Sequence, residues 1–149
     1  MEYSIRNCEI TDLPKLLVLI QKHAEFEKAE FYPEGKEEGL KNALFGQNPK
    51  LYCLVVATKE TIVGYACYTF DFSTWNAQTF LYMDCLFLEE ETRGFGIGEV
   101  LIEKLKEIGT KNNCVNIQWQ TPEFNTRAIK FYNRMGAKGK DKVRFTLTL

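Results

Sequence analysis

The sequence predicts one α/β domain of the α+β type, in which a mixed, mostly antiparallel sheet is flanked by helices. Apolar residues recur at strand spacing in some segments and at helical spacing in others, in the order β-α-α-β-β-β-α-β-α-β. Three consecutive strands separate this order from the strict βαβ alternation of a doubly wound sheet. The 149 residues are enough for one domain, 1–149, with a proper hydrophobic core.

The first half of the chain is predicted to hold three strands and two helices. Thr11 or Asp12 can cap the first helix, and Pro14 suits a first helical turn. Segments 51–58 and 61–72 are rich in β-forming residues and joined by a short polar link, which indicates a hairpin. The predicted elements are a strand at 3–9, helices at 11–29 and 34–45, and strands at 51–58 and 61–72.

The second half is predicted to alternate strands and helices. The predicted strand at 78–88 is nearly continuously apolar, as expected of a central strand covered on both faces. Asn125 is placed to cap the last helix, and Gly136 suits the position just after that helix ends. The predicted elements are a strand at 78–88, a helix at 97–108, a strand at 114–121, a helix at 125–136 and a strand at 142–149.

Composition excludes several classes of function. Nineteen Lys and Arg residues against twenty Asp and Glu give a net charge of −1, which offers no bulk attraction to nucleic acid or anionic membrane. No apolar run approaches the ~18–20 residues of a membrane helix, and residues 1–10 do not resemble a secretory signal. The five cysteines form no C-x-x-C pair and are odd in number, so we expect reduced thiols in a cytoplasmic protein.

Metal chemistry is also not expected. His23 is the single histidine, which excludes a zinc site built on several histidines, and the cysteines lack the spacing of four-thiolate sites. His23 lies in a helical pattern among charged residues. The sequence therefore predicts a surface histidine there.

The glycine-rich stretch 93–98, RGFGIG, lies between a predicted strand and a predicted helix. A dinucleotide fingerprint would need a third glycine where Leu101 stands, and a P-loop would need a lysine followed by Ser or Thr where Glu99 and Val100 stand. Two interpretations remain. Either the stretch is a glycine-containing turn, or its backbone donors, the helix N-terminus and Arg93 together bind an anion.

The motif Arg93-x-x-Gly96-x-Gly98 resembles the acetyl-CoA pyrophosphate motif of the GNAT N-acetyltransferases, R/Q-x-x-G-x-G/A. The segments LYMDCLFLEEETRGFGIG and NTRAIKFYNRMGA are similar to the diamine and spermidine/spermine acetyltransferase branch of that superfamily. The resemblance covers nearly the whole chain. It implies the GNAT acyl-CoA N-acyltransferase fold and acetyl transfer from acetyl-CoA to an amine in a ternary complex.

The resemblance also implies site residues. Asp84 would take a proton from the acceptor amine, directly or through water, since burial in a strand would make it a better base. The alternative is an acid that is satisfied by hydrogen bonds or simply exposed at the end of the strand. Tyr132 would protonate the leaving thiolate; the alternative is a core aromatic. Cys85 is a weaker candidate for an acyl-enzyme nucleophile. The implied cofactor-binding residues are Leu86, Phe87, Leu88, Arg93, Gly94, Phe95, Gly96, Ile97, Gly98, Asn125 and Tyr132.

Acidic and aromatic residues near the first helices and the 61–88 strands suit a cationic acceptor. The alternative is a solvated acidic helix face. The chain departs from the polyamine branch at Cys85, which replaces an acid, and in the basic segment 138–149. A smaller amine, an amino-acid side chain or an N-terminal amine is therefore expected in place of a long polycation. A CoA-binding regulator without turnover and a protein N-terminal or lysine acetyltransferase remain alternatives. By analogy we expect a homodimer. The candidate acceptor-binding residues are Glu25, Glu27, Tyr32, Trp75, Asp84 and Cys85.

Overall fold

The computed structural model describes residues 1–149 and contains five strands and four helices. None of the helices has the length and apolarity that crossing a membrane requires. The strands are β1 Ser4–Asn7, β2 Tyr52–Ala57, β3 Ile62–Ser73, β4 Gln78–Leu88 and β5 Ile117–Gln118. The helices are α1 Leu13–Phe26, α2 Lys36–Phe45, α3 Ile97–Lys111 and α4 Thr126–Arg134.

The strands form one sheet in the order β1-β2-β3-β4-β5, with helices on both faces. Every neighbouring pair is antiparallel except β4 and β5, which run parallel, so the predicted mixed, mostly antiparallel sheet is confirmed. Side chains of α1 and α2 cover one face of the sheet, and those of α3 and α4 cover the other. The sheet is therefore the shared wall of two hydrophobic cores.

The start of α1 differs from the prediction in its capping. Asp12 precedes the helix but makes no side-chain cap to it. Its carboxylate instead accepts a bond from the Glu9 N–H at 2.8 Å and a two-fold contact from the Arg6 guanidinium at 2.6 and 3.0 Å. That contact lowers the pKa of Asp12. Pro14 does lie in the first turn, as predicted.

Two predicted strands at the C-terminal side are wrong in extent. The strand expected at 114–121 pairs with β4 only at Ile117 and Gln118. The strand expected at 142–149 is absent, and its apolar side chains are exposed. A strand forms only where a neighbour supplies backbone partners, and no other part of the chain pairs with this segment. The element order therefore ends at α4.

All five cysteines are free thiols. Four of them lie at matching positions across the sheet, because Cys53 pairs with Cys67 and Cys67 pairs with Cys85, while the Cys8 N–H bonds to the Cys53 carbonyl at 2.9 Å. Cys8, Cys53 and Cys67 are buried in the core against α1. These three side chains pack there as small apolar groups.

Candidate functional site

A cavity of about 570 Å³ opens on the C-terminal half of β4. Its other walls are the C-terminal end of α1, the glycine-rich loop before α3, and one side of α4. The volume is in the range of small-molecule and cofactor sites. Most of the residues singled out from the sequence line this one cavity.

The backbone of β4 is open along the cavity. β5 pairs with β4 only at Leu81 and Tyr82, so the part of β4 after Tyr82 has no neighbouring strand on that side. Leu86 and Leu88 lie in this unpaired part and line the cavity. Their free N–H and C=O groups can therefore bind an extended ligand as another strand would. Arg93 already uses one of them, since its Nε donates to the Leu88 carbonyl at 2.9 Å.

Asp84 lies at a β-bulge, which corrects the expectation of a buried strand acid. Cys67 pairs with Cys85 and Tyr68 pairs with Met83, so Asp84 is an extra residue without a partner on β3. A bulge turns the side chains of its strand. Asp84 is accordingly exposed and lines the cavity. The burial on which its predicted basicity rested is absent.

The three glycines of the loop serve two different purposes. Gly94 and Gly96 have φ of +86° and +75°, a conformation that L side chains rarely adopt, and a Cβ on either would meet no atom within 4 Å. Gly98 lies in the first turn of α3, where a Cβ would lie 3.3 Å from the Phe131 ring of α4. Two glycines shape the loop, and the third lets α4 pack closely.

The start of α3 can bind an anion. Gly96 precedes the helix and no side chain caps it, so the N–H groups of the first turn point out unpaired. Arg93 lies beside them, with its guanidinium 5.0 Å from the Phe26 ring and 5.6 Å from the Phe87 ring. Burial, followed by the charge of nearby Arg127, lowers the pKa of Arg93, which stays far above neutrality. The two cations and the helix dipole make this end of the cavity positive.

Arg127 was not singled out from the sequence. It lines the cavity in the first turn of α4, two residues after Asn125. Asn125 caps α4 as predicted, because its Oδ1 accepts a bond from the Ala128 N–H at 3.3 Å. A basic residue in the first turn of a helix opposes the helix dipole. That unfavourable placement was the available signal that Arg127 is suited to bind a negative ligand.

Tyr132 lies on α4 and faces the cavity from a half-buried position. Its ring packs against Trp119 and Phe131, with ring centroids 5.0 and 5.3 Å apart. Burial, together with the charge of Glu27, raises the pKa of Tyr132 to about 12. The phenol therefore carries its proton throughout the neutral range.

His23 is not the surface residue that the sequence predicts. Its side chain is 12% exposed and lines the cavity. Nδ1 lies 2.9 Å from the Tyr65 hydroxyl, Nε2 lies 3.2 Å from Glu27, and the ring stacks on Phe87 with centroids 5.3 Å apart. Spacing along α1 placed His23 and Glu27 one turn apart, but no pattern linked either to Tyr65.

The predicted acceptor residues divide into two groups. Glu27, Asp84 and Cys85 line the cavity. Burial, followed by the charge of Asp84, raises the pKa of the Cys85 thiol, which disfavours the thiolate that an acyl-enzyme route would need. The others lie outside the lining: Glu25, Tyr32 and the 92% exposed Trp75, together with Phe95 among the predicted cofactor residues.

Comparison with known proteins agrees with this geometry. A thialysine N-epsilon-acetyltransferase of Bos taurus is 31% identical over 142 residues, which cover 90% of this chain and 83% of that protein. A human spermidine/spermine N(1)-acetyltransferase-like protein 1 is 28% identical over 91% of this chain and 20% of its own length. An aminoglycoside acetyltransferase from a soil metagenome has the same fold, with a TM-score of 0.82 at 21% identity over 99% of this chain and 96% of that chain. The family model for Acetyltransferase (GNAT) matches residues 18–137. The chain therefore belongs to the GNAT family and is an acetyl-CoA-dependent N-acetyltransferase.

Proposed function

We propose that the protein transfers the acetyl group of acetyl-CoA to a primary amine of a small cationic acceptor. The observation that carries the proposal is that one cavity joins a positive end to an acidic end. Arg93, Arg127 and the start of α3 form the first, and Glu27 and Asp84 form the second. The bovine relative, whose name records acetylation at an ε nitrogen, supports an amine acceptor of this type.

The residues present fit acetyl-CoA, which supplies an activated acetyl thioester when bound. The unpaired N–H groups at the start of α3 and the Arg93 fork would hold the pyrophosphate. The open backbone of Leu86 and Leu88 would hold the pantetheine arm, and Asn125 would contact the same arm from α4. Because Gly94 and Gly96 carry no Cβ, the loop backbone can approach the phosphates closely.

Asp84 and Tyr132 would manage the protons of the reaction. A primary alkyl amine has a pKa of about 10.4 and must lose a proton before it attacks a carbonyl. Asp84 would accept that proton, directly or through water, from its exposed position on the cavity wall. Tyr132 would hold its own proton at the hydroxyl and donate it to the sulfur as negative charge develops there.

The acidic end of the cavity favours a small cationic acceptor. Asp84 and Glu27 give two carboxylates near the reacting centre; the cations of the same lining are arginines, namely Arg93, Arg127 and Arg134. Trp75 and Tyr32 are exposed and lie outside the lining, so their contact with the acceptor stays a prediction from the sequence.

We further propose a cytoplasmic homodimer. The five free thiols suit a reducing compartment. The segment 142–149 carries exposed apolar side chains at alternate positions, Val143, Phe145, Leu147 and Leu149, with nothing in its own chain covering them. Because these apolar residues alternate with other residues along the segment, the segment suits a strand that is added to the sheet of a second copy.

Titration calorimetry with acetyl-CoA and a CoA-release assay across an amine panel test the proposal. Wild-type protein should bind acetyl-CoA and acetylate small diamines and ω-amino acids. Arg93→Ala should weaken acetyl-CoA binding about ten- to hundred-fold, since charge-assisted hydrogen bonds contribute roughly 1.5–3 kcal/mol. Lys59→Ala, which removes an exposed cation outside the cavity lining, should bind normally.

Failure to bind acetyl-CoA at millimolar concentration would overturn the proposal. Binding without CoA release for any amine would instead identify a CoA-binding regulator. Turnover with peptide amines and with no small amine would identify a protein acetyltransferase.

A further inference from the structure

His23 connects three elements of the fold at the acidic end of the cavity. Its ring lies between the Tyr65 hydroxyl of β3 and the Glu27 carboxylate at the end of α1, and it stacks on Phe87 of β4. Both ring nitrogens are occupied by these partners. The ring is therefore fixed in position and orientation while its edge faces the cavity.

The hydrogen-bond partners assign the tautomer of His23. A carboxylate can only accept, so Nε2–H donates to Glu27, and the Tyr65 O–H then donates to Nδ1. The imidazole is neutral in this arrangement. Burial is the largest influence and lowers the pKa of His23 from 6.5, against the opposing effect of Glu27.

Glu27 is held where the helix itself would not favour it. It follows the last residue of α1, at the negative end of the helix dipole, where a carboxylate is disfavoured. Its side chain is one-third exposed, and its charge reaches the Tyr132 phenol across the cavity. The bond from His23 is the one contact that fixes this carboxylate within the site.

We propose that His23 is a positioning residue of the acceptor site, which holds the Glu27 carboxylate beside the acceptor ammonium and close to the Tyr132 phenol. This role rests on the proposed function and adds a specificity element to it. The carboxylate has a second oxygen that the His23 bond leaves free. That oxygen accepts a bond from the ammonium, and a fixed carboxylate binds the cation better than a mobile one.

The arrangement gives acceptor binding a dependence on pH. The charged or titratable groups acting on His23 are Glu27 just after its own helix, Tyr65 on β3, Asp84 on β4 and Arg93 from the following loop. As pH falls below the lowered pKa, an imidazolium forms and pairs with Glu27. The carboxylate then has less charge to offer the ammonium, so the KM for the acceptor should rise at acid pH.

Three variants separate positioning from a purely structural role. His23→Leu removes the donor, whereas His23→Gln keeps an N–H within reach of Glu27 one helical turn away and cannot titrate. Gln21→Leu is the matched control, because Gln21 lies on the same helix with its amide bonded to Glu25 and does not line the cavity. Each variant is assayed for kcat and for the KM of both substrates between pH 5.5 and 8.

His23→Leu should raise the acceptor KM about ten-fold at pH 7.5 and leave acetyl-CoA affinity within about two-fold. His23→Gln should recover most of the acceptor affinity and abolish the rise of KM at acid pH. Gln21→Leu should match the wild type at every pH.

An unchanged acceptor KM in His23→Leu, or the wild-type pH dependence in His23→Gln, would overturn the proposal. If His23→Leu fails to fold, shown by its thermal unfolding, the pH dependence of His23→Gln decides alone. A wild type that binds acetyl-CoA and acetylates no amine would instead refute the proposed function and, with it, this role.

Discussion

The proposed role of Tyr132 as a proton donor can be tested with a single substitution. Tyr132→Phe removes one hydroxyl and keeps the ring that packs against Trp119 and Phe131. We expect kcat to fall by about 10²–10⁴-fold, the usual contribution of a positioned general acid, with acetyl-CoA affinity nearly unchanged. Steady-state CoA release and calorimetry measure the two effects. A variant with the full wild-type rate would show that Tyr132 is a packing residue only.

Two other residues show how the environment of a side chain escapes prediction. The sequence placed Asp84 inside an apolar strand and His23 on a charged helix surface. The structure reverses the predicted exposure of both side chains. An extra residue in β4 turns Asp84 into the cavity, and the end of α1 packs His23 on Phe87. The residues next to a side chain in the sequence do not indicate which residues of other strands and helices will surround it.

At the scale of elements, the glycine loop gives a prediction with an internal control. Gly96→Ala places a Cβ in open space, so its whole cost is the left-handed backbone, about 1–2 kcal/mol of unfolding free energy. Gly39→Ala also meets open space but lies inside α2 with ordinary helical φ, so it should stabilise by about 0.5–1 kcal/mol. Urea denaturation measures both.

Opposite signs for the two substitutions would confirm that backbone conformation, not lack of space, demands glycine at the loop. A neutral or stabilising Gly96→Ala would contradict the left-handed conformation of Gly96. Acetyl-CoA binding by the folded Gly96→Ala variant then reports whether the loop geometry matters for the pyrophosphate.

The elements themselves were predicted well where side chains alone decide them. The apolar run 78–88 matches β4, and the periodic segment from 97 matches the start of α3. The strands at 114–121 and 142–149 were overestimated, since strand propensity is necessary for pairing but a partner backbone is also required. Strand propensity depends on residues that are close in sequence, whereas strand pairing depends on residues that are distant in sequence.

At the scale of the whole molecule, the proposed homodimer places its contact at the C-terminal segment 142–149. Phe145 is 91% exposed in the single chain. Polar residues separate it from the other apolar residues of the segment 142–149. In a homodimer built through this segment, Phe145→Glu should shift the protein to a monomer, whereas Thr146→Glu, on the other face, should shift it less. Sedimentation velocity at micromolar concentration measures both.

A wild type that is monomeric at that concentration would contradict the proposed homodimer. Equal effects of the two substitutions would show that charge alone, and not burial of the apolar face, governs the assembly.

The sequence by itself determined the fold class, the family resemblance and the loop at residues 93–98, because these depend on residue types at short spacing. The tertiary structure alone decided the bulge at Asp84, the approach of Arg127 to Arg93, and the contact of His23 with Tyr65, two residues 42 positions apart. Each of these requires that separate elements meet, and the packing of helices on both faces of one sheet brings them together.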